Sequence, residues 1–102
     1  MRGGSKRNRR GVWMEIFDDR ENEYRAWLLN NSDGYVVNSR KRIDKSYLIL
    51  HRSTCGSISS EKIQNYTTTS YFKICSVRVG ELEKWAREMV NGTLKKCRLC
   101  KP

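Results

Sequence analysis

Cysteine placement sets the first limit on how this chain can fold. Cys97-Arg98-Leu99-Cys100 is a C-x-x-C, Cys55 lies in a Gly- and Ser-flanked stretch, and Cys75 ends an alternating apolar run. His51, the one histidine among 102 residues, precedes Cys55 by four. C-x-x-C spacing lets two thiolates reach one tetrahedral zinc from a single turn. The basic opening segment is followed by no apolar stretch of the signal-peptide kind, so a cytoplasmic location is expected. In a reducing compartment four cysteines stay thiols, and metal ligation becomes their natural use. A thioredoxin-like C-x-x-C would open a helix after a strand, whereas this one follows a helix.

The residues therefore predict one structural Zn2+ held by His51, Cys55, Cys97 and Cys100. Cys75 is the alternative to His51, which would give an all-cysteine site. Spacing favours His51, since it and Cys55 bracket one loop, while Cys75 reads as a small buried hydrophobe. Such a staple suits the composition. Only 37% of residues are hydrophobic and mean hydropathy is −0.79, so one small core is all the chain can bury. A catalytic zinc would need an open position and a general base, and neither an H-E-x-x-H, an H-x-E nor a second histidine is present. The expectation is a protein that is not an enzyme.

Charge points to the partner. Lys and Arg number 21 against 11 Asp and Glu, a net charge of +10. The excess is blocked: residues 1–10 hold five basic and no acidic residues, residues 35–60 five basic and one acidic, and residues 93–102 four basic and none acidic. Clustering of this kind favours a polyanion-binding surface over dispersed solubilising charge. The expected nucleic-acid contacts are Arg40, Lys41, Arg42 and Lys45 on a hairpin tip, Arg52 beside the cysteine loop, Lys95, Lys96 and Arg98 around the C-x-x-C, and Lys6, Arg7, Arg9 and Arg10 in a tail. Arg40 or Arg42 would be the base reader, because a guanidinium forks onto a guanine edge. Tyr35, Tyr47, Tyr66 and Tyr71 could stack bases, but half-covered strand positions explain them as well.

Residues 1–12 read as a disordered basic tail and residues 13–102 as a single zinc-stapled domain. Asp18 and Asp19 would cap a helix over about 19–31, with Tyr24, Trp27 and Leu28 on its buried face and Asp33-Gly34 as the stop. Tyr35–Asn38 and Ser46–His51 form a hairpin, residues 52–60 a loop, and residues 67–75 a third strand. Val79, Leu82, Trp85, Ala86, Met89 and Val90 share one face of a second helix that ends at Asn91-Gly92. The fold class is α+β: a small antiparallel sheet of about three strands, with an N-terminal and a C-terminal helix covering one face. No apolar run is long enough to span a membrane.

Cys97-x-x-Cys100-Lys101-Pro102 resembles a zinc knuckle of the ribbon and treble-clef kind. Together with Tyr35-Val36-Val37-Asn38-x-Arg40, Leu50-His51-Arg52-x-x-Cys55 and Trp85, it resembles small bacterial zinc-knuckle domains over about residues 24–102. The resemblance implies a structural metal and no particular activity. The function expected is that of a bacterial or phage nucleic-acid-binding zinc module. The alternative is an adaptor or inhibitor that sets its cationic face against an acidic partner protein.

Overall fold

The computed structural model describes residues 14–102. The tail of residues 1–12, with Lys6, Arg7, Arg9 and Arg10, lies outside the described residues. Five strands, rather than three, form one sheet: β1 (Glu15–Phe17), β2 (Tyr35–Arg40), β3 (Leu48–Arg52), β4 (Tyr71–Ser76) and β5 (Lys95–Lys96). Their spatial order is β1-β4-β2-β3-β5. Every neighbouring pair is antiparallel except β3 and β5, which run parallel. The two strands without a sequence signal are the two edges. Each is only two or three residues long, and such a stretch carries too few alternations to register as a pattern.

Helix α1 (Glu21–Asn30) and helix α3 (Val79–Trp85) lie on opposite faces of the sheet, not on one. Side chains alternate across a strand. Val36 and Cys75, paired in register, pack with Tyr24 and Trp27 of α1. Val37 and Ile74, the next pair along, pack with Leu82, Trp85 and Ala86 on the α3 side. Burial on both sides is what lets so small a chain remove Tyr24, Trp27, Leu48 and Leu82 almost wholly from water. Each such side chain contributes roughly 1.5–3 kcal/mol of transfer free energy.

Helix α1 starts two residues later than the sequence suggests. Its N-cap is Arg20, without a side-chain cap, and Asp19 sits at φ 56°. Asp18 and Asp19 instead hold the Lys41 ammonium, at 3.0 and 2.6 Å. The first-turn carboxylate of Glu21 accepts from the backbone N–H groups of Tyr66 and Thr67 and from the Thr67 hydroxyl, at 2.8–3.0 Å. It thereby fixes residues 66–67 as a turn ahead of β4, which starts at Tyr71 rather than at the expected Thr67. Gly34 ends the α1 turn where a Cβ would lie 2.7 Å from the Trp27 ring.

Residues 52–60 are not all loop, since α2 (Gly56–Ser59) forms one short turn there. Helix α3 continues into a π-helical turn, Ala86–Val90, that ends on left-handed Asn91 at φ 59°. The wider i→i+5 turn sets Val90, in place of Met89, against the core beside Leu82 and Ala86. Met89, expected in the core, is accordingly 69% exposed. No helix among the described residues is long and apolar enough to cross a membrane.

Candidate metal centre

Strand β3 ends on His51 and Arg52, with His51 in register with Val36 on the α1 side of the sheet and 6% exposed. The chain then turns. Ser53 donates from its N–H to Gly34 O at 3.0 Å and from its hydroxyl to Asn31 O at 2.6 Å. Cys55 lies at the N-cap of α2, where its carbonyl accepts from Ile58 N–H and from the Ser59 hydroxyl. The Tyr24 hydroxyl donates to Ile58 O at 2.6 Å and ties this turn to α1.

The last residues approach from the other side. β5 pairs with β3 at Ile49 and Leu50, and Cys97 N–H extends that ladder to Leu50 O at 2.8 Å. Cys97 is thus delivered beside His51. The chain then folds back through a tight turn, in which Lys101 N–H donates to Cys97 O at 3.0 Å.

The ligand atoms of His51, Cys55, Cys97 and Cys100 all lie within 4.8 Å of one another, a group that could hold a metal ion. All four cysteines are free. Cys55 Sγ and Cys97 Sγ are 4.0 Å apart. A disulfide needs about 2.05 Å. Two thiolates on one tetrahedral zinc with Zn–S bonds of about 2.3 Å stand about 3.8 Å apart, close to the observed spacing.

Backbone donors complete the fit. Leu99 N–H points to Cys97 Sγ at 3.3 Å and Arg52 N–H to Cys100 Sγ at 3.2 Å. Donors aimed at sulfur favour the thiolate that coordination requires. The Cys97 thiol is pushed down: its burial acts upward, but hydrogen bonds from Cys100 and Leu99 outweigh it. The Cys100 thiol is raised, first by burial and then by the neighbouring sulfurs. Burial, with the Lys73 charge as a lesser cause, lowers His51 to about 4, so its imidazole is neutral and free to ligate.

Cys75, the alternative fourth ligand, is not in this group. It sits wholly buried in β4 between Glu15 and Val36, and burial holds its thiol well above the ordinary range.

The basic residues divide into engaged and unengaged. Arg52 clamps the C-x-x-C turn, with Nε donating to Cys100 O at 3.0 Å and a terminal nitrogen to Lys101 O at 3.1 Å. Lys41 is held back by Asp18 and Asp19, and Arg40 lies over the Tyr47 ring at 4.6 Å. Arg42, Lys45, Lys95, Lys96 and Arg98 are all exposed at the surface.

The hairpin tip and the β5 segment meet: a Cβ on Gly92 would lie 2.9 Å from Lys45 O. The Asp44 carboxyl, lowered first by hydrogen bonds from Ser46, also feels both Arg40 and Lys95.

Sequence reasoning missed Lys73. It is 2% exposed, and its ammonium donates to Tyr66 O at 2.6 Å among the rings of Tyr24, Tyr66 and Tyr71, 5.5–6.0 Å away. Its alternation with Tyr71 and Cys75 placed it on a sheet face, but nothing in the sequence marked that face as covered at this point. No protein-family model matches the chain, and no curated protein and no solved structure matches it.

Proposed function

We propose that this chain is a zinc-stapled, non-enzymatic module that binds nucleic acid. Three thiolates and one imidazole are a closed donor set for structural zinc, which leaves no open position for chemistry. The bound ion would join the end of β3, the α2 turn and the C-x-x-C, three segments that meet over a modest core. Its binding free energy is then folding free energy.

One observation carries the nucleic-acid reading. Two basic blocks more than 40 residues apart in sequence run side by side, because β5 lies along β3 and Gly92 packs on Lys45. Arg42 and Lys45 at the tip thus continue into Lys95, Lys96 and Arg98 along one sheet edge. Residues 39–52 and 93–102 contain one acid, Asp44. A strip of cations with so little neutralisation suits a phosphate backbone.

Titrating DNA and RNA oligonucleotides into the metal-loaded protein at two salt concentrations tests the reading. The logarithm of affinity should fall with log salt by about 0.7–0.9 per phosphate neutralised. Lys96→Glu or Arg42→Glu should weaken all sequences alike and lower that slope by about one. Salt-tolerant binding to a single acidic protein, with none to nucleic acid, would replace this reading by the adaptor one.

A further inference from the structure

We infer that the surface formed by Tyr47, Tyr71 and Arg40 is a stacking platform for the bases of a single strand, so that the nucleic acid bound is single-stranded rather than duplex. The inference rests on the nucleic-acid reading above and narrows it.

The tyrosines are sorted by the fold. Tyr24 and Tyr66 are buried on the α1 side, and Tyr35 packs on the α3 side. Tyr47 and Tyr71 are half-buried, and their ring centroids are 5.9 Å apart with planes inclined by 37°. Both stand at the hairpin end of the α1-side face, where Arg40 is in register with Tyr71. The exposed Arg40 guanidinium lies 4.6 Å from the Tyr47 centroid and extends the π surface outward. Bases stack on tyrosine rings and on guanidinium planes alike, with little regard to sequence.

The same geometry argues against insertion into a groove. A tip that reads a duplex needs its cations projecting, and two of its four do not: Arg40 is laid on a ring and Lys41 is tied back to Asp18 and Asp19, which leaves Arg42 and Lys45 exposed. What remains at the tip is a ring surface flanked by Arg42, Lys45 and Lys95, that is, a base-stacking face beside phosphate-directed cations. Asn38 adds a polar group, with Nδ2 at 3.5 Å from the Tyr47 hydroxyl.

The test compares a fluorescein-labelled dT12 single strand with a labelled 12-base-pair duplex, using the metal-loaded protein and its Tyr47→Leu and Tyr71→Leu variants. Leucine keeps apolar bulk and removes the ring. Each variant should bind the single strand roughly tenfold or more weakly, with duplex binding and salt slope unchanged. In the unsubstituted protein, dT12 should move the ring-proton resonances of Tyr47 and Tyr71 upfield, a readout that does not depend on the variants folding. Unshifted ring resonances, or tyrosine variants that bind dT12 like the parent, would overturn the platform. If Arg42→Glu and Lys96→Glu still weaken both ligands in that case, the nucleic-acid reading survives without it. If the protein binds neither ligand, both readings fall.

Discussion

Lys73→Met tests the electrostatics of the interior. Burial lowers the Lys73 ammonium from its ordinary 10.5 to about 8, while Cys75 and Glu21 pull weakly the other way. Between those two values the unfolded chain binds more protons than the folded one, so the lysine's contribution to stability rises with pH. From about pH 7 to about pH 9.5 that gain integrates to about 2 kcal/mol in favour of the parent. Cys75 and Tyr24, both raised chiefly by burial, act with the opposite sign at high pH, but they are present in both proteins and largely cancel in the difference. Methionine removes the charge and also leaves Tyr66 O without its 2.6 Å donor, a loss of about 1–3 kcal/mol that does not vary with pH. Urea unfolding of both metal-loaded proteins at the two pH values gives the comparison. The parent should gain about 2 kcal/mol on the variant at the higher pH. A difference independent of pH would mean that the ammonium is solvated, and would refute the argument.

Cys75→Ala should keep the metal and cost about 1–2 kcal/mol of stability, as truncation of a small buried side chain does, measured by denaturant melts and metal analysis. Glu21→Ala should destabilise by about 2 kcal/mol or more, because it strands the N–H groups of Tyr66 and Thr67, and should speed amide exchange at those two residues first. Gly34→Ala should lower the thermal midpoint, since its Cβ meets the Trp27 ring at 2.7 Å and the backbone at Asn31 O at 3.1 Å. A midpoint equal to the parent's would show that the turn relaxes freely.

Much of the fold was legible because it rests on local pattern. The Tyr24 and Trp27 spacing gave α1, the Tyr35–Asn38 and Ser46–His51 runs gave the β2–β3 hairpin, and Asn91-Gly92 gave the end of the last helix. What escaped depends on partners distant in sequence. β1 and β5 are strands only because β4 and β3 offer them edges. Asp18 and Asp19 read as helix caps because capping is a local property, and Lys41, 22 residues from Asp19, claimed them instead. The placement of the two helices on opposite faces could not be read from either helix alone, since each shows one apolar stripe whichever face it covers. The His51, Cys55, Cys97 and Cys100 group was legible from residue type and spacing. That the hairpin tip would run beside β5 was not, because it depends on a parallel pairing of two residues.

The role of His51, Cys55, Cys97 and Cys100 as a structural staple stands or falls with the zinc content of the purified chain. Native mass spectrometry, with metal analysis of the same sample, should find one zinc per chain. Stripping it with a chelator should collapse the β5 and C-x-x-C region and markedly lower the thermal midpoint. Cys97→Ser should take up no zinc under the same conditions. A metal-free chain that is fully folded, with a thermal midpoint unchanged by added zinc or chelator, would rule out the staple.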